Sequence, residues 1–583
     1  MRPIRFMSLI LIIAGLGLGC VSAPTPTPPP TVFHPPTITS GATATLLATA
    51  APTVQPTPIL PPPQIVRPVS GLSRGTGGFP WWNDTVFYQV FIRSFYDSDE
   101  DGIGDLNGLI AKLDYLNDGD PATTTDLGVT GLWLMPIHPA ASYHGYDVLD
   151  YYQINPQYGT LDDFKRLLTE AHQRGIRVLI DWVPNHVSAQ HAWFQSALDP
   201  QSAYRDWFVW AAEPAGSGWH PGVNSDFYYG YFWEGMPDLN YNNPAVTAQM
   251  LEVASFWLKE IGVDGFRIDA IKYLIEDRGF VEHTPATHAW LQTFHTTYKE
   301  MNPEALMIGE IWDSSGLVAD YTTSGAELDL GFDFDLAKAI LWAAAYRRNT
   351  LFNDTLTRDL TVFPSGQFGT FITNHDQDRV MSVLGDDANR ARTAAALLFI
   401  SPGVPFVYYG EELGLLGSKP DELIRTPMQW SAATNGGFTT APRAWESLNN
   451  DYVTKNVAVQ TDDPASLLSF YRHLIQLRNQ HVALRIGDTV VLETGNRSVV
   501  ALLRYTADEV ILALVNLGKE SVSDYGLTGA ESPLRGGYQP VFLLESGSPA
   551  PLTVTATGGL AGYQPVPVLP PYATLILQLQ PQP

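Results

Sequence analysis

Short apolar runs that each close on acidic or polar side chains constrain this chain more than any other feature. Gly265-Phe266-Arg267-Ile268 ends on Asp269, and Leu306-Met307-Ile308-Gly309 ends on Glu310. Phe371-Ile372-Thr373-Asn374-His375 ends on Asp376. A fourth run, Arg177-Val178-Leu179-Ile180-Asp181, leads into Asn185 and His186. Runs of this length and apolarity suit strands buried on both faces. Carboxylates are costly to bury unless they are paired or used. Parallel strands whose polar groups gather past their C-terminal ends describe an α/β barrel, in which the loops after the strands carry the chemistry.

Helical patterns separate these runs. They cover Leu106 to Leu116, Thr160 to Arg174, Ala245 to Ile261, Ala286 to Met301, Ala388 to Phe399 and Ser466 to Arg478. Thr160 is placed to cap its helix, and Gly175 and Gly262 stop the helices before them. Further strands are expected at 86–91, 131–135, 369–373 and 405–409. About eight strand–helix units over roughly 400 residues fit a (β/α)8 TIM barrel better than an open sheet. The expected barrel occupies 79–186 and 245–484. Between them, 187–244 is rich in Trp, Tyr, Gly and Pro and reads as a small inserted domain after the third strand. From 485 to 583 short strands follow one another, which suggests a C-terminal antiparallel β-sandwich.

The start of the chain is of another kind. Arg2 and Arg5 precede a 13-residue apolar run, Phe6 to Leu18, followed by Gly19 and Cys20. A bilayer span needs about 20 residues, so this run reads as a secretory signal over 1–20. Cys20, the single cysteine, sits where a bacterial lipoprotein signal places the residue that is lipidated. Simple cleavage after Ala23 is the alternative, disfavoured by Pro24. Residues 21–78 form a Pro/Thr-rich linker, with 14 prolines between Val21 and Ser70. It is expected to act as a semi-rigid tether. The formal net charge of −26 argues against nucleic acid or anionic lipid as partners, because both need a basic face. The membrane is expected to be met only through the lipid anchor, on the extracytoplasmic side of a bacterial cell.

Five segments carry a resemblance. Asp181-Trp182-Val183-Pro184-Asn185-His186, Met236-Pro237-Asp238-Leu239-Asn240, Gly265 to Ala270, Gly309-Glu310 and Phe371 to Asp376 occur in this order. They resemble the motifs of glycoside hydrolase family 13, the α-amylase family, in a form intermediate between its oligo-1,6-glucosidase and neopullulanase groups. The resemblance implies Asp269 as nucleophile, Glu310 as acid/base and Asp376 as transition-state stabiliser. Arg267, two residues before Asp269 on the same strand face, is expected to favour its charged form. Glu310 is expected to hold a proton through burial and nearby negative charge. Tyr146, Asp147, His186, His375 and Arg425 are implied as sugar-binding residues, with Asp147 and Arg425 able to meet and close the non-reducing end. Phe227 to Trp233 either lines further sugar subsites or forms the core of the inserted domain.

Asp97-Ser98-Asp99-Glu100-Asp101-Gly102-Ile103-Gly104-Asp105 sets carboxylates on alternate residues around a turn, hard oxygen ligands that suit Ca2+. The resemblance implies calcium bound by Asp97, Asp99, Asp101, Asp105 and the Ile103 carbonyl. Lys272-Tyr273 departs from the family's Lys-His pair, which leaves a second calcium near Asn185 open. The implied function is hydrolysis of α-1,4 bonds in starch or maltodextrins with retention. An exo-acting α-glucosidase, a transglycosylase such as a trehalose synthase, and a non-catalytic glucan-binding protein are the rivals.

Overall fold

The computed structural model describes residues 71–582 apart from 215 and 278. The expected signal, Cys20 and the linker up to residue 70 lie outside the described residues. Eight parallel strands form the central sheet: β1 (Phe87–Val90), β2 (Gly131–Leu134), β3 (Arg177–Trp182), β4 (Gly265–Ile268), β5 (Leu306–Gly309), β6 (Leu330–Gly331), β7 (Gly369–Thr370) and β8 (Val404–Tyr408). Each pairs with its neighbour in chain order up to β6, β7 pairs with β8, and β8 returns to β1 with Phe87 opposite Phe406. The ring closes between β6 and β7 through one parallel bridge, Phe332 to Gly369, and the Asp333 N to Gly369 O bond at 2.9 Å.

Alternation along the strands sorts two cores, as the period of two requires. Phe87, Trp133, Leu179, Leu306, Ile308 and Phe406 face the barrel axis and fill it. Tyr88, Leu132, Leu134, Val178, Ile180 and Met307 face outward and pack under the helices. The helix Leu161–Gln173 begins with a full capping box, Thr160 and Asp163 each bonding the other's backbone nitrogen, which satisfies donors that a helix start leaves free. It buries Phe164, Leu167, Leu168 and Ala171 on one face.

One expectation about strands is corrected, and one strand is added. The seventh strand was expected over 369–373 but spans only Gly369–Thr370, so Asp376 lies six residues beyond it on a loop. The sixth strand has two residues and no apolar run to announce it. Within 187–244, Trp210–Ala211, Trp219–Pro221 and Phe227–Tyr229 make a three-stranded antiparallel sheet. Near the C-terminus six antiparallel strands form one sheet, with Val510–Asn516 and Thr574–Pro581 at its centre, and Leu527–Gly529 pairs with Leu560–Tyr563 in a second. Arg504, fully buried, donates to Ile400 O at 2.8 Å and Gly487 O at 3.0 Å, and so joins the C-terminal sheet to the barrel.

Candidate active site

Asp181, Arg267 and Asp269 sit at alternate positions near the ends of neighbouring strands, which turns all three toward the barrel axis. Close packing of β4 on β5 brings Glu310 to them. Gly265 has φ +151°, and a Cβ there would lie 1.9 Å from Leu306 O, so only glycine allows this approach. Arg267 is buried and its guanidinium spans the group. Nη1 reaches Asp181 Oδ1 and Asp269 Oδ1, both at 2.7 Å, and Nη2 reaches Glu310 Oε2 at 2.9 Å. Asp269 and Glu310 therefore stand on one planar fork. Retaining glycosidases need their two carboxyl groups close together, and a shared guanidinium brings these two to adjacent nitrogens.

Arg267 favours the charged form of Asp269, as expected, but its charge is shared among three carboxylates. Burial pushes Asp269 up to about 7 even with Arg267 lowering it and Asp181 raising it. Burial likewise pushes Glu310 up to about 7, with Arg267 lowering it and Asp269 and Asp376 raising it. The three carboxylates around the Arg267 guanidinium hold a proton near neutral pH. That is the state in which one carboxyl can attack while another donates.

Tyr146 lies beneath this group. Its hydroxyl donates to Asp181 Oδ2 at 3.0 Å, and its ring stacks on His375 at 5.4 Å between centroids. Gln89 on β1 contacts His375 Nδ1 at 2.7 Å, and Trp133 Nε1 donates to Asp181 Oδ2 at 3.1 Å. His375 and His186 are both buried, and burial holds both well below the usual imidazole range, His186 at about 3. They are neutral hydrogen-bonding groups at any physiological pH. Asp376 accepts from Arg425 Nη2 at 2.9 Å, and the same nitrogen reaches Asp421 Oδ2 at 3.0 Å. Asp147 does not meet Arg425. Its carboxylate is taken by Ser142, whose N donates at 3.2 Å and whose Oγ donates at 2.5 Å.

Residues 89–487 match the family described as the alpha amylase catalytic domain. The chain belongs to the α-amylase family. It is 37% identical over 457 residues to Alpha-amylase 3 of Dictyoglomus thermophilum, covering 76% of this chain and 86% of that protein. It is 35% identical over 487 residues to the trehalose synthase/amylase TreS of Mycolicibacterium smegmatis, covering 73% and 80%. The crystal structure of an α-amylase from H. orenii superposes with a TM-score of 0.73 at 39% identity, covering 85% of this chain and 99% of that one. The protein is an enzyme of glycosidic bonds.

In this α-amylase family member the stretch Phe227 to Trp233 divides. Tyr228 and Tyr229 are buried in the three-stranded sheet, whereas Phe232 and Trp233 are about half exposed. The Phe232 ring stands 5.2 Å from His186 and 5.7 Å from Tyr273, beside the acids. Trp312, two residues past Glu310, is also half exposed and stacks on Phe334 at 4.8 Å. Asn185 Oδ1 and Asp238 Oδ2 are buried, and burial raises Asp238 well above the carboxylate range. In the acidic turn, Asp97, Asp99 and Asp101 bring ligand oxygens within 4.8 Å of one another. Burial and the neighbouring carboxylates raise Asp99, a repulsion that a divalent cation relieves. These donors suit a hard cation. Asp105 is not among the three: it bonds Ser98 N and Oγ, both at 2.7 Å, and caps the helix Leu106–Ala111 through Gly108 N. Ile103 follows on the turn, its N donating to Asp101 Oδ1 at 2.7 Å.

Gln89, Trp133 and Asp421 were missed as site residues by sequence reasoning. Gln89 carried a signal, a polar residue in the apolar run Phe87–Val90 at an axis-facing position. Asp421 carried a weaker one, four residues before Arg425 and so able to pair with it across a helical turn.

Proposed function

We propose that the protein hydrolyses α-1,4-glucosidic bonds of starch and maltodextrins with retention of anomeric configuration. The observation that carries this reading is Arg267 bridging Asp269 and Glu310, with Asp376, held by Arg425, acting on both through its charge. Asp269 attacks the anomeric carbon as the glycosidic C–O bond breaks, and Glu310 gives its proton to the departing oxygen. A glucosyl ester of Asp269 results. Glu310, now ionised, takes a proton from water, whose oxygen attacks the same carbon and frees Asp269. Asp376 stabilises the positive charge on the ring, and Tyr146, His186 and His375 hold the sugar. Asp97, Asp99 and Asp101 hold a calcium ion that pins the turn and takes no part in bond cleavage. The Cys20 leader places the enzyme outside the cytoplasm on a lipid anchor.

A second reading, transglycosylation or isomerisation to trehalose on the same acids, is favoured by the similarity to TreS. The test is incubation with calcium on maltoheptaose, soluble starch and maltose, with products separated over time and the anomer read by NMR. Asp269→Asn is the control. Early α-anomeric oligosaccharides from starch support the first reading. Trehalose or longer products support the second, and β-anomers refute retention.

A further inference from the structure

The excursion that follows β8 is fastened to the acidic turn and to the residues just before it. Asp97 N donates to Phe438 O at 3.0 Å, and Thr439 Oγ1 donates to Asp97 Oδ2. Trp445 N donates to Gly102 O at 2.8 Å. A Cβ at Gly102 would lie 2.4 Å from Arg443 O, so the two backbones meet with no room for a side chain. Ser94, three residues before Asp97, ties the other end. Its Oγ donates to Arg425 O at 2.5 Å and accepts from Trp445 Nε1 at 3.0 Å, and its O accepts from Met428 N at 2.8 Å. The Trp445 ring backs Tyr143 at 5.4 Å, and Tyr143 faces the Arg425 guanidinium at 6.0 Å.

Arg425 is the element that can respond. Its Nη2 is shared between Asp376 at 2.9 Å and Asp421 at 3.0 Å. Its Nε also donates to His375 O at 2.9 Å, so the end of segment 425–445 is fastened to the loop that carries Asp376.

We propose that Thr439 and Ser94 are positioning residues that convert the conformation of the acidic turn into the placement of Arg425 on Asp376. A divalent cation on Asp97, Asp99 and Asp101 then tightens sugar binding at a site it does not touch. The inference rests on the cation reading of the turn given above. Coupling of this kind is reciprocal, so the sugar tightens cation binding by the same factor.

The test uses the full-length protein silenced by Asp269→Asn. Maltoheptaose is titrated calorimetrically without and with saturating CaCl2, and CaCl2 is titrated without and with maltoheptaose. The sugar dissociation constant falls about fivefold or more with Ca2+, and that of Ca2+ falls by the same factor. Thr439→Val brings the factor to about one, and Thr439→Ser retains it. Ser94→Ala tests the other end and serves if Thr439→Val does not fold. With Asp269 restored, Thr439→Val raises KM while leaving kcat within about twofold, a split that a general loss of stability does not produce. Ca2+ binding with a coupling factor of one, with Thr439 and Ser94 unaltered, overturns the inference and leaves the cation site standing. Absence of Ca2+ binding overturns both. Ca2+ binding without any sugar binding overturns the inference together with the glucan reading.

Discussion

The main-chain nitrogen of Ala270 donates to Glu310 Oε2 at 3.2 Å. The residue that follows Asp269 thereby holds the carboxyl of its partner, and it does so in the left-handed region at φ +51°. Glu310→Gln keeps an oxygen for that contact and removes the transferable proton. Its kcat on maltoheptaose falls by about 10²–10⁴, the usual worth of a positioned general acid. An aryl glucoside with a good leaving group loses less in its first step, and the melting temperature stays near that of the parent. Equal losses on both substrates would argue against Glu310 as the proton donor.

Arg267→Lys replaces a planar fork by a point charge. Lysine cannot reach Asp181, Asp269 and Glu310 at once from one rigid group. The expected loss in kcat is at least about 10²-fold, comparable to removing one preorganised electrostatic contact. Steady-state kinetics on maltoheptaose, with circular dichroism to verify folding, provides the measurement.

The proposed mechanism needs Asp269 ionised and Glu310 protonated for its first step, and both are pushed to about 7. The pH profile of kcat/KM is therefore bell-shaped, and its two apparent pKa values belong to the pair. Burial shields the pair from salt, so the alkaline limb stays near neutrality as ionic strength is raised. An alkaline limb two or more units higher would exclude Glu310 as the group that sets it.

Glu411 tests the cost of buried charge away from the site. Its Oε1 accepts from Tyr471 at 2.8 Å, its Oε2 has no hydrogen-bond partner, and burial raises it to about 8 from 4.5. A carboxyl raised on folding lends its stability below its unfolded pKa and loses it as pH rises to the folded value. Glu411→Gln removes that loss. The variant's melting temperature gains on the parent progressively from about pH 5 to about pH 8 and keeps a constant margin above. A margin independent of pH would show that Glu411 does not titrate in this range.

The proposed calcium site predicts that a chelator lowers the melting temperature, because an ion bound only by the folded state adds about 2.7 kcal/mol at one hundred times its dissociation constant. Asp99→Asn combined with Asp101→Asn weakens or abolishes this response to chelator, and differential scanning calorimetry shows the difference. A double variant that responds as the parent does would move the calcium away from the turn.

What the sequence made legible were elements with a strong local signature. The strands β3, β4 and β5 announce themselves through apolar runs that end on Asp181, Asp269 and Glu310. The helix Leu161–Gln173 announces itself through the Thr160 cap. β6 was hidden because Leu330–Gly331 has only two residues, set between Asp329 and Phe332-Asp333, too few to show a strand pattern. The roles of single residues were harder. Asp105 was implied as a ligand by resemblance, and the structure shows it also capping the helix Leu106–Ala111 through Gly108 N, a second task that the acidic spacing does not announce. Asp147 was read as able to meet Arg425, but Ser142, five residues before it, lies within reach of a tight turn and bonds its Oδ1. Spacing gives no account of which of two available donors an acid will choose.

The single bridge between Phe332 and Gly369 makes the barrel a ring with a clasp. Asp269 and Glu310 lie on one side of that clasp and Asp376 on the other. Any breathing of the native state that begins where the backbone ladder is thinnest parts the third acid from the other two while Arg267 still holds the pair. Loss of activity on warming should thus precede loss of the barrel, with amide exchange at 330–332 and 369–370 rising first.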